Sequence, residues 1–195
     1  MTTDKYEKLF VSTMLEIAEE IKKNSEVIDI KQILELIDLI LEIHKKDNLI
    51  FIYGAGRSGF IGRCFAQRLM HLGIRSCFIS DAITYRYTED DLLILISGSG
   101  ESISPVAIAQ NAKEIGGKIV LITRNIESRI AKISDLVIRV EGKSKDMATN
   151  KITLAPYTSL FDISVLSILD SLAGTVMNLL GITERDIDKR HATLE

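Results

Sequence analysis

Two cysteines, Cys64 and Cys77, are all that 195 residues offer, too few and too badly spaced for a disulfide framework or a zinc cage. Core thiols in a reducing cytosol are the expectation. Charge of one sign is also missing. With 24 basic residues against 27 acidic ones, nothing favours a polyanion such as DNA as the main ligand, and no DNA-binding module is visible in the amino-terminal region. A small phosphorylated molecule asks only for a local site and stays open. No apolar run approaches membrane-spanning length, and the opening MTTDKYEKLF lacks the apolar centre of a signal peptide, so a soluble cytoplasmic protein with no membrane partner is expected. Histidine is scarce, only His44, His71 and His191. What is plentiful is apolar side chain, 46% of the residues, enough for a single domain with an appendage.

The texture changes once, near Lys46. Before it, Leu9, Phe10, Met14, Ile17 and Ile21 recur at helical spacing, as do Ile33, Leu36, Ile37, Ile40 and Leu41, with KNSEVID reading as the turn between them. Residues 1–46 are therefore expected to form a helical segment whose apolar surface covers the main body or another subunit. From 47 to 180 the pattern alternates. The runs NLIFIYG, RSCFIS, LLILIS, KIVLIT and DLVIRV are too uniformly apolar for half-exposed strands and suit a parallel sheet covered on both faces. Between them GFIGRCFAQRLMHLG, ISPVAIAQNAKEIGG and IESRIAKIS supply crossover helices. The fold class is an α/β, open, doubly wound sandwich of about five parallel strands flanked by helices. A long apolar helix, LFDISVLSILDSLAGTVMNLLG, follows, buried in the fold or between subunits. The tail 181–195 starts again with Thr183 as a cap and carries a charged helix to the end.

Such sheets bind ligands beyond the carboxyl ends of their strands. Two of those ends are unusual: YGAGRSGF, from Tyr53 to Phe60, and SGSGES, from Ser97 to Ser102. Their glycines, Gly56 and Gly98 among them, let backbone approach a ligand, and each following helix offers unpaired N–H groups and a positive dipole end. The hydroxyls of Ser58, Ser97, Ser99 and Ser102 add donors, enough for a phosphate dianion without a dedicated lysine. Ser104 and Pro105 read as the cap and first residue of the second helix. A rival reading is a dinucleotide site, because Gly54, Gly56 and Gly59 fit G-x-G-x-x-G and Asp81 stands where a ribose-binding acid is expected. That rival leaves SGSGES without a task and the chain short of a substrate region.

The segments GAGRSGFIGRCFAQRLMHLG and LLILISGSGES, with the ending KRHATLE, resemble the sugar isomerase (SIS) family and, within it, the 6-phospho-3-hexuloisomerases. The resemblance runs from about Asn48 to the end. It implies isomerisation of a phosphosugar, moving the carbonyl of D-arabino-hex-3-ulose 6-phosphate by one carbon to give fructose 6-phosphate. It implies neither a metal nor an organic cofactor, and a homotetramer built as a pair of dimers with sites near subunit interfaces. An isomerase of another ketose phosphate and a non-catalytic phosphosugar-binding protein are the alternatives.

Moving a carbonyl needs a base that removes the neighbouring proton and donors for the enediolate oxygen. The resemblance places that base in PYTSLFD, where Asp162 stands for the family's glutamate and Thr158 for its glycine. Read by itself, Ser159 with Asp162 three residues on has the shape of a capping box. The tail histidine, His191, is implicated in ring opening or proton shuttling and can reach a neighbouring subunit's site. Arg57 matches the first motif, as a phosphate or hydroxyl ligand. In SDAITY, Asp81 and Thr84 stand for a family acid and threonine that bind substrate. Glu101 is read as structural, and His71 as a helix-end residue favoured by the dipole.

Overall fold

The computed structural model describes residues 3–143 and 153–193. Two helices come first, α1 (Thr3–Val27) and α2 (Ile30–Lys45), the second capped by the Asp29 carboxylate on the Lys31 N–H. The sheet and its crossovers follow as β1 (Ile50–Gly54), α3 (Arg57–His71), β2 (Ser76–Phe78), β3 (Leu92–Ile96), α4 (Ile103–Ile115), β4 (Lys118–Thr123) and β5 (Leu136–Arg139). Helices α5 (Ser159–Leu179) and α6 (Glu184–Asp188) close the described chain. All four strand pairings are parallel and the order is β2-β1-β3-β4-β5. The expected fold class is the one observed.

Burial explains why uninterrupted apolar runs become strands here. Side chains alternate across the sheet: Ile50, Ile52, Ile94 and Ile122 face α2, α3 and α5, while Phe51, Leu93, Leu95 and Leu121 face α4. Strand β3 has no exposed residue on either face. Close strand-to-helix approach fixes the start of α3, since a Cβ on Gly59 would stand 2.6 Å from the Gly54 carbonyl oxygen. The spacing of Gly54 and Gly59 is thereby accounted for by packing.

Four local expectations are corrected. IESRIAKIS yields only a 3-10 turn, Ala131–Ile133, because side chains take its N–H groups first: Asn125 Oδ1 accepts from Glu127 and Ser128 Oγ from Ala131. Helix α4 starts two residues early, with Ser102 as its N-cap, so Pro105 sits third, still in the first turn where a missing N–H costs nothing. The N-cap of α5 is Thr158 rather than Ser159, and no capping box forms there. Finally, α6 has the Thr183 cap, with a complete capping box to Asp186, but ends at Asp188. Beyond it Arg190 donates to the His71 carbonyl at 3.1 Å.

Helix α5 also revises the expectation about apolar runs, being long and apolar enough to cross a membrane by length and composition alone. Half of it is buried, and Phe161, Val165, Leu169, Leu172 and Val176 belong to the main core. Asn24 of α1, 2% exposed, anchors the amino-terminal arm beside it. Its side chain accepts from the Glu141 N–H and donates to the Glu141 carbonyl and to Ser164 Oγ.

Candidate functional site

The strand order reverses between β1 and β3: the chain leaves β1 for β2 on one side, then returns past β1 to build β3, β4 and β5. In an open α/β sheet the crevice at such a switch point is where ligands bind. Here it is a cleft lined by Ala55 and Ser58 after β1, Ser97, Gly98, Ser99 and Ser102 after β3, and Thr158, Phe161 and Asp162 at the start of α5.

Within the loop after β3, hydroxyls and backbone are arranged for an anion. Ser97 Oγ accepts from the Gly100 N–H at 3.1 Å and Ser99 Oγ from the Glu101 N–H at 3.2 Å, so each hydroxyl keeps its own hydrogen to donate. Ser102 caps α4 by backbone position while its side chain makes no capping bond. The first-turn N–H groups of α4, short of intrahelical acceptors, point the same way. Gly100 is required: its φ is +64°, and a Cβ would stand 2.0 Å from Ser128 Oγ.

Strand β4 and the loop after it brace this cradle. Thr123 Oγ1 donates to the Gly98 carbonyl at 3.2 Å, and Asn125 Nδ2 to the Ser99 carbonyl at 3.3 Å. Glu101 turns away, accepting from the Arg129 N–H at 2.7 Å and from Arg129 Nε at 2.5 Å. These bonds hold its carboxyl below the usual carboxylate range, the backbone bond most of all. Sequence reasoning misses Thr123, Asn125 and Arg129; polar turn chemistry in TRN, at the end of an apolar strand, signals the first two, and no local pattern signals Arg129.

Across the cleft stands Asp162, 1% exposed and bonded to three side chains. Oδ2 accepts from Arg57 Nε at 3.0 Å and from Thr158 Oγ1 at 2.7 Å, and Oδ1 from Ser58 Oγ at 3.1 Å. Ser58 therefore spends its hydroxyl on the carboxylate, while Arg57, its side chain 60% exposed, sits at the mouth. Gly56, with φ +60°, turns the chain into α3 beside them.

Three other predicted residues lie apart from this cleft. Asp81 is exposed and pairs with Arg63 (Nη2 to Oδ1, 3.0 Å), whose guanidinium lies 4.0 Å from the Phe78 ring centroid. Thr84 is exposed in the segment between β2 and β3. His191 stacks on His71, ring centroids 4.3 Å apart, at the far end of α3. Fifteen helical residues place it roughly 20 Å from the cleft of its own chain. His71 is the last residue of α3, the helix-end position expected of it; it is buried, and its pKa is lowered, by desolvation first and then by the charges of His191 and Arg68. Among the described residues no group of three or more His, Cys, Asp or Glu side chains is placed to hold a metal ion.

The SIS domain family matches residues 42–166, a span that takes in both loops and the start of α5. The chain belongs to the SIS domain family. A relative from Methanocaldococcus jannaschii, named 3-hexulose-6-phosphate isomerase, is 42% identical over 159 residues, 82% of each chain. A Bacillus subtilis relative of the same name is 36% identical over 181 residues, 92% of this chain and 96% of that one. Among solved structures, a Methanococcus jannaschii protein whose inferred molecular function is 3-hexulose-6-phosphate isomerase superimposes with a TM-score of 0.75 at 36% identity, covering 98% of this chain and 99% of its own. The two loops singled out in the sequence line this cleft together with the start of α5.

Proposed function

We propose that this SIS protein is a 3-hexulose-6-phosphate isomerase, interconverting D-arabino-hex-3-ulose 6-phosphate and fructose 6-phosphate through an enediol. The observation that carries this is a buried carboxylate, Asp162, facing a serine-lined anion cradle across one cleft. Ser97, Ser99 and Ser102 with the N-terminus of α4 hold the phosphate, which fixes the sugar chain in reacting geometry. Starting from fructose 6-phosphate, Asp162 takes the proton on C3 to give the enediolate, the hydroxyl proton passes from the C3 oxygen to the C2 oxygen, and return of the carbon-bound proton from Asp162 to C2 leaves the carbonyl at C3. Arg57 at the cleft mouth stabilises the enediolate oxygen. The relatives named above support this choice of substrate.

His191 acts in a neighbouring subunit's site, since its own cleft lies at the other end of α3. An assembly is supported by the apolar side chains that α1 leaves exposed, Tyr6, Phe10, Met14 and Leu15 among them, and the reading is a homotetramer. Cys64 is exposed and Cys77 half-buried, so neither is the core thiol expected; both are free, which supports a reducing cytoplasm. The test is to incubate purified protein with fructose 6-phosphate and no added cofactor and to look for the 3-hexulose phosphate by carbon NMR. Its failure to appear would remove the reading.

A further inference from the structure

Thr158 holds a conformation that its side chain disfavours. Its φ is +65° and ψ −9°, the left-handed region, which glycine enters freely and a β-branched residue rarely does. Threonine at an N-cap normally adopts extended backbone and gives its oxygen to an N–H of the first turn. Thr158 does neither: no capping bond forms, and its hydroxyl donates instead to Asp162 Oδ2 at 2.7 Å. Strained backbone of this kind persists where the surroundings over-determine it, and such positions cluster at functional sites.

The consequence lies in how the carboxylate is filled. A carboxylate offers about four lone-pair sites, two on each oxygen. Arg57 and Thr158 take both sites on Oδ2, while Ser58 takes one on Oδ1. One site remains, on Oδ1, in a residue that lines the cleft. Without Thr158, each oxygen would hold one donor and the carboxylate would lose the difference between them.

Resting on the reading of Asp162 as the base, we infer that Thr158 is a positioning residue, pinning Oδ2 from its strained conformation and so reserving Oδ1 as the oxygen that exchanges the substrate's proton. It touches the base, not the substrate carbon, so its effect falls on turnover rather than binding.

The experiment compares T158G, T158S and D162N as full-length proteins, with kcat and KM measured for fructose 6-phosphate and thermal melting for each. T158G removes the strain and the donor together. Its kcat falls roughly 10- to 100-fold, the scale of a reacting group misplaced by about an ångström, while KM stays within about twofold and the melting temperature does not drop. T158S keeps a donor and recovers most of the lost kcat. A T158G variant with undiminished kcat, or a T158S variant as slow as T158G, overturns the role of Thr158. The two readings separate through D162N: normal turnover there overturns the assignment of Asp162 and this inference with it. An inactive D162N beside an unimpaired T158G overturns the inference alone.

Discussion

Arg57 and Asp162, 105 residues apart in the chain, meet at 3.0 Å through Nε and Oδ2. The contact joins the helix after β1 to the helix that closes the cleft. Because Asp162 is buried, loss of the guanidinium leaves its charge one donor short, and R57A should cost about 1–3 kcal/mol of stability, less than breaking a fully buried pair because Arg57 is itself exposed. R57K should recover little, since an ammonium lacks the planar fork. Urea midpoints and kcat for the two variants check this, with kcat falling in both.

The Ser102 hydroxyl is free of any capping duty, so its removal should report on the ligand alone. S102A is expected to raise KM for the phosphosugar about tenfold or more, the worth of a charge-assisted hydrogen bond, with the melting temperature unmoved. S97A should both raise KM and destabilise, because Ser97 Oγ also accepts the Gly100 N–H. Steady-state kinetics beside thermal melts separate the two effects.

Asn24 joins α1 to the end of β5 and to α5 through Glu141 and Ser164. Replacing it with leucine strips partners from buried backbone, and N24L should lose about 1–3 kcal/mol. The carboxyl-terminal edge of the sheet keeps its own network, so KM should hold below the melting transition. Denaturant titration followed by kinetics tests both halves of that statement.

Burial and two neighbouring positive groups lower the His71 pKa below its ordinary value of about 6.5. Between the lowered value and about 6.5 the unfolded chain binds a proton that the folded one refuses. Stability from this group is therefore complete above about pH 6.5 and is lost as the pH falls through that value toward the folded pKa. Melting temperatures across this window should slope upward with pH, and H71L should flatten the slope.

Fold and cradle were legible because both are written locally. Apolar runs such as LLILI can only be satisfied by burial on two faces, and SGSGES after such a run has one place to go, the sheet's carboxyl edge. The IESRIAKIS segment misled because its apolar spacing suits a helix, while Asn125 and Ser128 divert the N–H groups that a helix needs. Less visible still was what Asp162 touches. Its donors come from α3 and from its own helix cap, and no local pattern tells a capping box from a carboxylate held by Arg57, Ser58 and Thr158. His191 shows the same limit: it meets His71 after the turn that follows α6, a tertiary contact that no local pattern in KRHATLE announces.

Whether Asp162 moves a proton between C2 and C3 of a ketose phosphate is decided by incubating the protein with fructose 6-phosphate in deuterium oxide, without added cofactor, and locating deuterium by proton and carbon NMR. Deuterium should enter C3 of fructose 6-phosphate while the 3-hexulose phosphate accumulates, and D162N should show neither. Deuterium at C1 instead would mean a different enediol and another isomerisation. Binding with neither exchange at any carbon nor formation of the 3-hexulose phosphate would contradict enzymatic turnover altogether.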